Sequence, residues 1–148
     1  MGGVLGRLGL RAGVLGCFVR LLPVLLLMLP AITRAQGDLV PVPSGQPVTR
    51  LDILFEDHPE AGENWLVLRF LAPQIARDLD QIDYVRAAPD MDFLCHEIGL
   101  PVAAEFTGQI DLILVALLDR KLSRGTADAA ATQFMSSYRL VDGACIWE

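Results

Sequence analysis

The chain has 148 residues, 53% of them hydrophobic, and its 12 basic and 18 acidic side chains leave a net charge of −6. That length suits one domain with an apolar appendage, and the acidic balance excludes a nucleic-acid binder, because phosphates demand a basic footprint. The three cysteines form no C-x-x-C pair, which excludes a thioredoxin-like redox centre.

Much of the apolar excess lies in residues 1–35. Arg7, Arg11 and Arg20 lead into an uncharged leucine-rich run, 21–33, followed by small residues at Thr33 and Ala35 ahead of Gln36. Basic lead, apolar run and small-x-small ending are the layout of a secretory signal peptide, with the cut between Ala35 and Gln36. A retained anchor is the alternative, but the run is well short of the roughly 20 residues a membrane-crossing helix needs. Extending it back to Ala12 takes in Arg20, and Pro23 and Pro30 interrupt it. A lipoprotein reading fails on order, since Cys17 precedes the leucine-rich run where a lipidated cysteine should follow it. Loss of a leader carrying Arg7, Arg11, Arg20 and Arg34 leaves eight basic against eighteen acidic residues, a net charge of −10. Such a protein is repelled by anionic headgroups and kept soluble in a periplasmic compartment, so a membrane is expected as a partner only if the leader is retained.

The elements expected after the leader begin with residues 36–47. With Pro41, Pro43, Pro47 and Ser44-Gly45, they read as an extended, irregular arm with no core pattern. A strand follows over 48–56, with Thr49, Leu51, Ile53 and Phe55 on one face, then a loop over 57–64. Residues 65–71 form a strand that is apolar on nearly both faces, hence central and covered on one side by a helix. Residues 74–79 suit a helical turn or two, and 82–86 a short strand. The clearest helix is 89–98: Pro89 suits its first position, Asp90 and Asp92 its positive end, and Gly99 with Pro101 its stop. Met91, Leu94, Cys95 and Ile98 share its buried stripe. A central strand covers 109–118 and a basic loop 119–125. Residues 126–138 read either as a helix or as a loop leading into a strand from about 132 to 141. The strand is preferred, because the two-residue turn Asp142-Gly143 needs a strand running into it. Beyond the turn, Ile146 and Trp147 are expected to tie the chain end into the core. The fold class is therefore α+β: a single domain over 48–148, with a mostly antiparallel sheet of five or six strands packed by helix 89–98.

Loss of Cys17 with the leader leaves Cys95 and Cys145, an even pair that reads as a disulfide in an oxidising compartment. Closing a loop of about 50 residues stabilises the fold by roughly 4 kcal/mol on the chain-entropy model. A zinc site would need two more ligands from His58 and His96, and His96 abuts Cys95 with no usual ligand spacing. No metal and no cofactor are expected.

Chemistry-bearing motifs are sparse. Glu56, Asp57, His58, Glu60 and Glu63 could be a general-base or metal cluster, against a solvated loop with a turn proline. Asp90 and Asp92 lack the glycine and terminal glutamate of a calcium loop. Ser123, Ser136 and Ser137 have no Gly-x-Ser-x-Gly context. Asp119-Arg120 reads as a local ion pair at the end of the central strand, and Trp65 and Trp147 as core. There is no phosphate loop, dinucleotide fingerprint or H-E-x-x-H.

The segments 43–48, 69–73, 94–95 with Asp90, 119–120 and 132–134, and above all the ending over 142–148, resemble a family of small exported alphaproteobacterial proteins, a domain of unknown function that closes on D-G-x-C-I-W-E. The resemblance covers essentially all of the chain after the leader, and it departs at residues 122–125, where the family is more aromatic. It implies an exported protein and supplies no catalytic residues.

The function expected from all of this is a periplasmic, non-enzymatic protein of the cell envelope that works by binding another envelope protein or a small ligand, with the proline-rich arm and the acidic surface as contacts. The alternatives are a small hydrolase using the His58 loop, or a membrane-anchored subunit that keeps its N-terminal helix.

Overall fold

The computed structural model describes residues 38–148. The leader and the cut between Ala35 and Gln36 lie outside the described residues.

Six strands form one sheet in sequence order: β1 (Leu39–Val40), β2 (Val48–His58), β3 (Glu63–Leu71), β4 (Leu112–Leu118), β5 (Gln133–Val141) and β6 (Ala144–Trp147). Every neighbouring pair is antiparallel except β3 and β4, which run parallel. Parallel neighbours need a crossover, and here it is helical: a 3₁₀ turn at Pro73–Ile75, then α1 (Tyr84–Leu94), a π-helical turn at Cys95–Gly99 and α2 (Leu100–Glu105), the last three continuous over 22 residues. The α+β class, the mostly antiparallel sheet and one main packing helix are as expected. The parallel central pair explains why β3 and β4 carry so few polar residues.

The main helix starts earlier and ends later than expected. Residues 82–86 are not a strand. Asp83 caps α1, its Oδ1 accepting the Arg86 amide at 2.9 Å, and this cap sets the start. Pro89 consequently lies inside the helix and not at its first position. Pro101 does not end it either. A proline ring crowds the carbonyl four residues back, here that of Glu97, and the wider π turn lies directly over that stretch. Gly99, expected as a stop, lies where the helix approaches the sheet closely: a Cβ there would lie 3.1 Å from the Ile113 side chain and 3.2 Å from that of Leu68.

The core is a single layer between this helix and one sheet face. Leu66, Leu68 and Phe70 of β3, Ile113, Val115 and Leu117 of β4, and Tyr138 of β5 meet Ala87, Met91, Leu94 and Cys95 of the helix. Cys95 is bonded to Cys145 on β6, with the Cα atoms 6.3 Å apart, so the expected staple between the helix and the terminal hairpin is present. Asp142 and Gly143 take φ of 51° and 76°, the left-handed pair that a type I′ turn requires. Residues 126–138 resolve toward the strand reading. The chain end is held by strand pairing and the disulfide, not by core burial: Ile146 is 49% and Trp147 67% exposed.

Residues 38–47 differ most from expectation. They contribute β1 to the sheet edge, and Val42 and Gln46 are buried at 8% and 3% exposure. Asp90 explains why. Fully buried in α1, it accepts the Ser44 amide at 2.8 Å, the Ser44 hydroxyl at 2.6 Å and the Gln46 side-chain amide at 2.7 Å. Three donors compensate a carboxylate that would otherwise be costly to bury. Asp92, expected to act as helix-end charge, instead accepts the Tyr138 hydroxyl at 2.7 Å. The described part of the arm is thus clasped to the domain, which removes it as a free contact segment.

Candidate functional site

The second sheet face carries the candidate site. A register shift between Arg50 and Asp52 leaves Leu51 as an extra residue, so the run Thr49, Leu51, Ile53, Phe55 does not share one face as expected. Ile53 joins the helix-side core, and Phe55 stacks on Phe106 with ring centroids 4.6 Å apart. Asp52, Leu54, Glu56 and His58 turn to the opposite face. There the pairing sets three rows: Leu54, Val67, Leu114 and Ser137; Glu56, Trp65, Leu112, Arg139 and Ile146; and Asp52, Arg69, Ala116 and Met135. Val67, Leu112, Ala116 and Leu118 are buried yet stand outside the helix-side cluster. Among the described residues, the segment that crosses this face is the loop after β4.

Arg69 is the centre of the arrangement. It is the one cation within β3, and its side chain is only 5% exposed. One guanidinium nitrogen donates to Asp52 at 2.8 Å and the other to the Leu122 carbonyl, so a charged side chain ties the sheet to the loop. Arg124 holds the loop from its far end through two bonds to the Glu56 carboxylate, at 2.7 and 2.9 Å. The Arg124 bond holds the Glu56 carboxyl below its ordinary range, against the opposing effect of burial. At the start of the loop Asp119 is paired bidentately with Arg120 at 3.0 and 3.1 Å, the local ion pair expected from the sequence. Burial pushes the Asp119 carboxyl up, but the Arg120 bond and a backbone bond from Thr132 outweigh it and the net shift is downward.

Between loop and sheet lies a cleft of about 540 Å³ lined by Leu51, Asp52, Leu54, Arg69, Lys121 and Leu122, with Ser123 and Arg124 completing it. Its size is that of a small-molecule site. A second cavity of about 490 Å³ opens on the helix side, between the 3₁₀ region and β5, with Arg77, Asp80, Tyr84 and Phe134 in its wall.

The residues singled out in sequence are dispersed. His58 stands at the end of β2 with its ring against Trp65, centroids 3.9 Å apart, and its polar neighbours are the carboxylates of Glu60 at 3.3 Å and Glu56 at 3.4 Å. None of Ser123, Ser136 or Ser137 is among its hydrogen-bond partners: the Ser136 hydroxyl meets the Tyr84 hydroxyl at 3.1 Å, and the Ser137 carbonyl accepts the Glu148 amide. His96 bonds the carbonyl of Asp92, one turn back in its own helix. Among the described residues no group of three or more histidine, cysteine or carboxylate side chains is placed to hold a metal ion. Trp65 is half-buried, and Trp147 is largely exposed where core was expected. The cleft around Arg69 was missed. Its signal was a lone arginine inside an otherwise apolar strand, together with the basic loop over 119–125.

No described helix is long and apolar enough to cross a membrane. A model described as a family of unknown function, DUF6497, matches residues 25–148, and the chain belongs to that family. No curated protein and no solved structure matches it.

Proposed function

We propose that this member of a family of unknown function works outside the cytoplasm as a non-enzymatic binding module, and that the sheet face opposite the helices receives a ligand with an apolar body. One observation carries the reading. A strand with one face in water alternates apolar inward residues with polar outward ones, yet Leu54, Val67 and Leu114 lie side by side on the face away from the helices, next to Leu112, Ala116 and Leu118. The Cys95–Cys145 bond supports the compartment, since such a bond in a small domain persists where the surroundings are oxidising, and so does the order of basic, apolar and small residues ahead of Gln36. The His58 surroundings support binding over hydrolysis, because the histidine is flanked by carboxylates and hydrogen-bonds no serine.

The test uses Nile red, a neutral apolar dye, with the protein starting at Gln36. Fluorescence enhancement should be strong for the parent and fall severalfold in Leu54→Glu and Met135→Glu, whose side chains lie at the surface of this face, while the melting temperature holds. Dye binding unchanged by both substitutions would remove the face from consideration. In a deletion strain, His58→Ala should complement as well as the parent; failure of His58→Ala alongside success of Leu54→Glu would move the reading to an enzyme.

A further inference from the structure

We infer that the cleft between the sheet and the loop after β4 binds a small monoanion with an apolar body, an alkyl or aryl carboxylate, and that Lys121 is its charge partner. The inference rests on the binding reading and gives it a ligand class. Three of the eight basic residues after Ala35 line this one cleft, in a chain whose overall balance is strongly acidic. Two of the three are neutralised in place: Arg69 by Asp52 at 2.8 Å and Arg124 by Glu56 at 2.7 Å. Lys121 enters none of the ion pairs of the described residues, although the cleft wall holds it beside Leu51, Leu54 and Leu122.

The resulting site has one unmatched positive charge at the rim and aliphatic walls behind it. That pattern fixes both the sign and the number of charges on the occupant. A dianion would leave a charge unpaired beside Asp52, and a cation would face the unmatched charge of Lys121. The frame is rigid where it must be. Arg69 is 5% exposed and bonded at both nitrogens, so it positions the loop and does not have to leave Asp52 for a ligand to enter. The Asp52 oxygen that does not pair with Arg69 is buried without a hydrogen-bond partner, and it repels an anion seated deeper than the lysine. The carboxylate therefore belongs at the rim and the apolar body against Leu51 and Leu54.

Lys121 is the chain's one lysine, which makes the test direct. The protein starting at Gln36 is treated with succinimidyl acetate in the presence of octanoate, 1-octanol or octyltrimethylammonium, and acetylation of Lys121 is read by peptide mass. Octanoate should slow its acetylation severalfold and the cationic analogue should not. By calorimetry, Lys121→Gln should weaken octanoate binding about tenfold, the effect of one charge-assisted contact, and leave 1-octanol binding unchanged. Equal octanoate affinity in the parent and Lys121→Gln would overturn the inference. So would 1-octanol binding as tightly as octanoate, although the binding reading would stand. No binding of either compound, with Nile red also excluded, would remove both. Protection by anionic phosphatidylglycerol vesicles but not by octanoate would overturn the free-acid assignment in favour of a membrane surface.

Discussion

Removing the Cys95–Cys145 bond should be the most damaging change that leaves the polypeptide otherwise intact. The two cysteines are 50 residues apart, and the loop they close contains α2, β4, β5 and the hairpin turn. On the chain-entropy model a loop of that size is worth about 4 kcal/mol. For a domain of roughly 110 residues, with an unfolding entropy near 2 cal/mol/K per residue, that converts to a fall of about 18 °C in melting temperature. Alanine is the appropriate replacement, since Cys95 is fully buried and Cys145 is 8% exposed. The loss should also be local. β6 is four residues long, and its apolar side chains Ile146 and Trp147 are exposed, so amide exchange in Ala144–Trp147 should accelerate more than in β3 or β4. Calorimetry of the parent, the parent with reductant, and Cys95→Ala/Cys145→Ala separates the contributions: reductant should lower the parent to near the double variant and leave the double variant alone. A double variant melting within about 3 °C of the parent would refute the reasoning, because the chain-entropy model leaves no room for so small a loss.

Asp90→Ala should cost about 3 kcal/mol in urea unfolding, since it strands three buried or half-buried donors; a loss under 1 kcal/mol would mean the clasp contributes nothing. Gly99→Ala gains helix propensity but sets a methyl 3.1–3.2 Å from Ile113 and Leu68, and overpacking should win by about 1 kcal/mol, a stabilised variant being the contrary result. The folded-state carboxyls of Glu56 and Asp119 are depressed, the first by Arg124 and the second by Arg120 and Thr132 acting against burial. Groups of this kind contribute stability above their unfolded pKa, near 4, and lose it as pH falls through the folded value. Unfolding free energy should therefore drop steadily below about pH 4, and Asp119→Asn should flatten that slope; an unchanged slope would count against the ion pair.

The central strands, the hairpin and the disulfide were legible because each has a local cause. The Asp142-Gly143 pair tolerates positive φ, strands β3 and β4 are too apolar to be anything but central, and the two cysteines after Ala35 allow one pairing. The helix limits were not legible. Pro89 and Pro101 read as start and stop on local rules, and only packing of the whole 22-residue helix on the sheet, with a π turn ahead of Pro101, lets both lie inside it. The clasp between Asp90 and Ser44 joins residues 46 apart in sequence, and nothing in either segment announces the other. The cleft was illegible for the same reason. The extra residue at Leu51 changes which side chains of β2 face Arg69, and the Arg124–Glu56 contact spans 68 positions. Trp147 shows the opposite failure, in which bulk and apolarity suggested core but the short edge strand leaves the ring in solvent.

The proposed function requires export and loss of the leader, with Cys95 joined to Cys145. The most direct measurement is the intact mass of the protein recovered from its native host, alkylated before and after reduction. A mass that begins at Gln36, with Cys95 and Cys145 blocked until reductant is added, is the predicted result. A full-length mass carrying free thiols at both positions would contradict it and remove the compartment on which the binding reading depends.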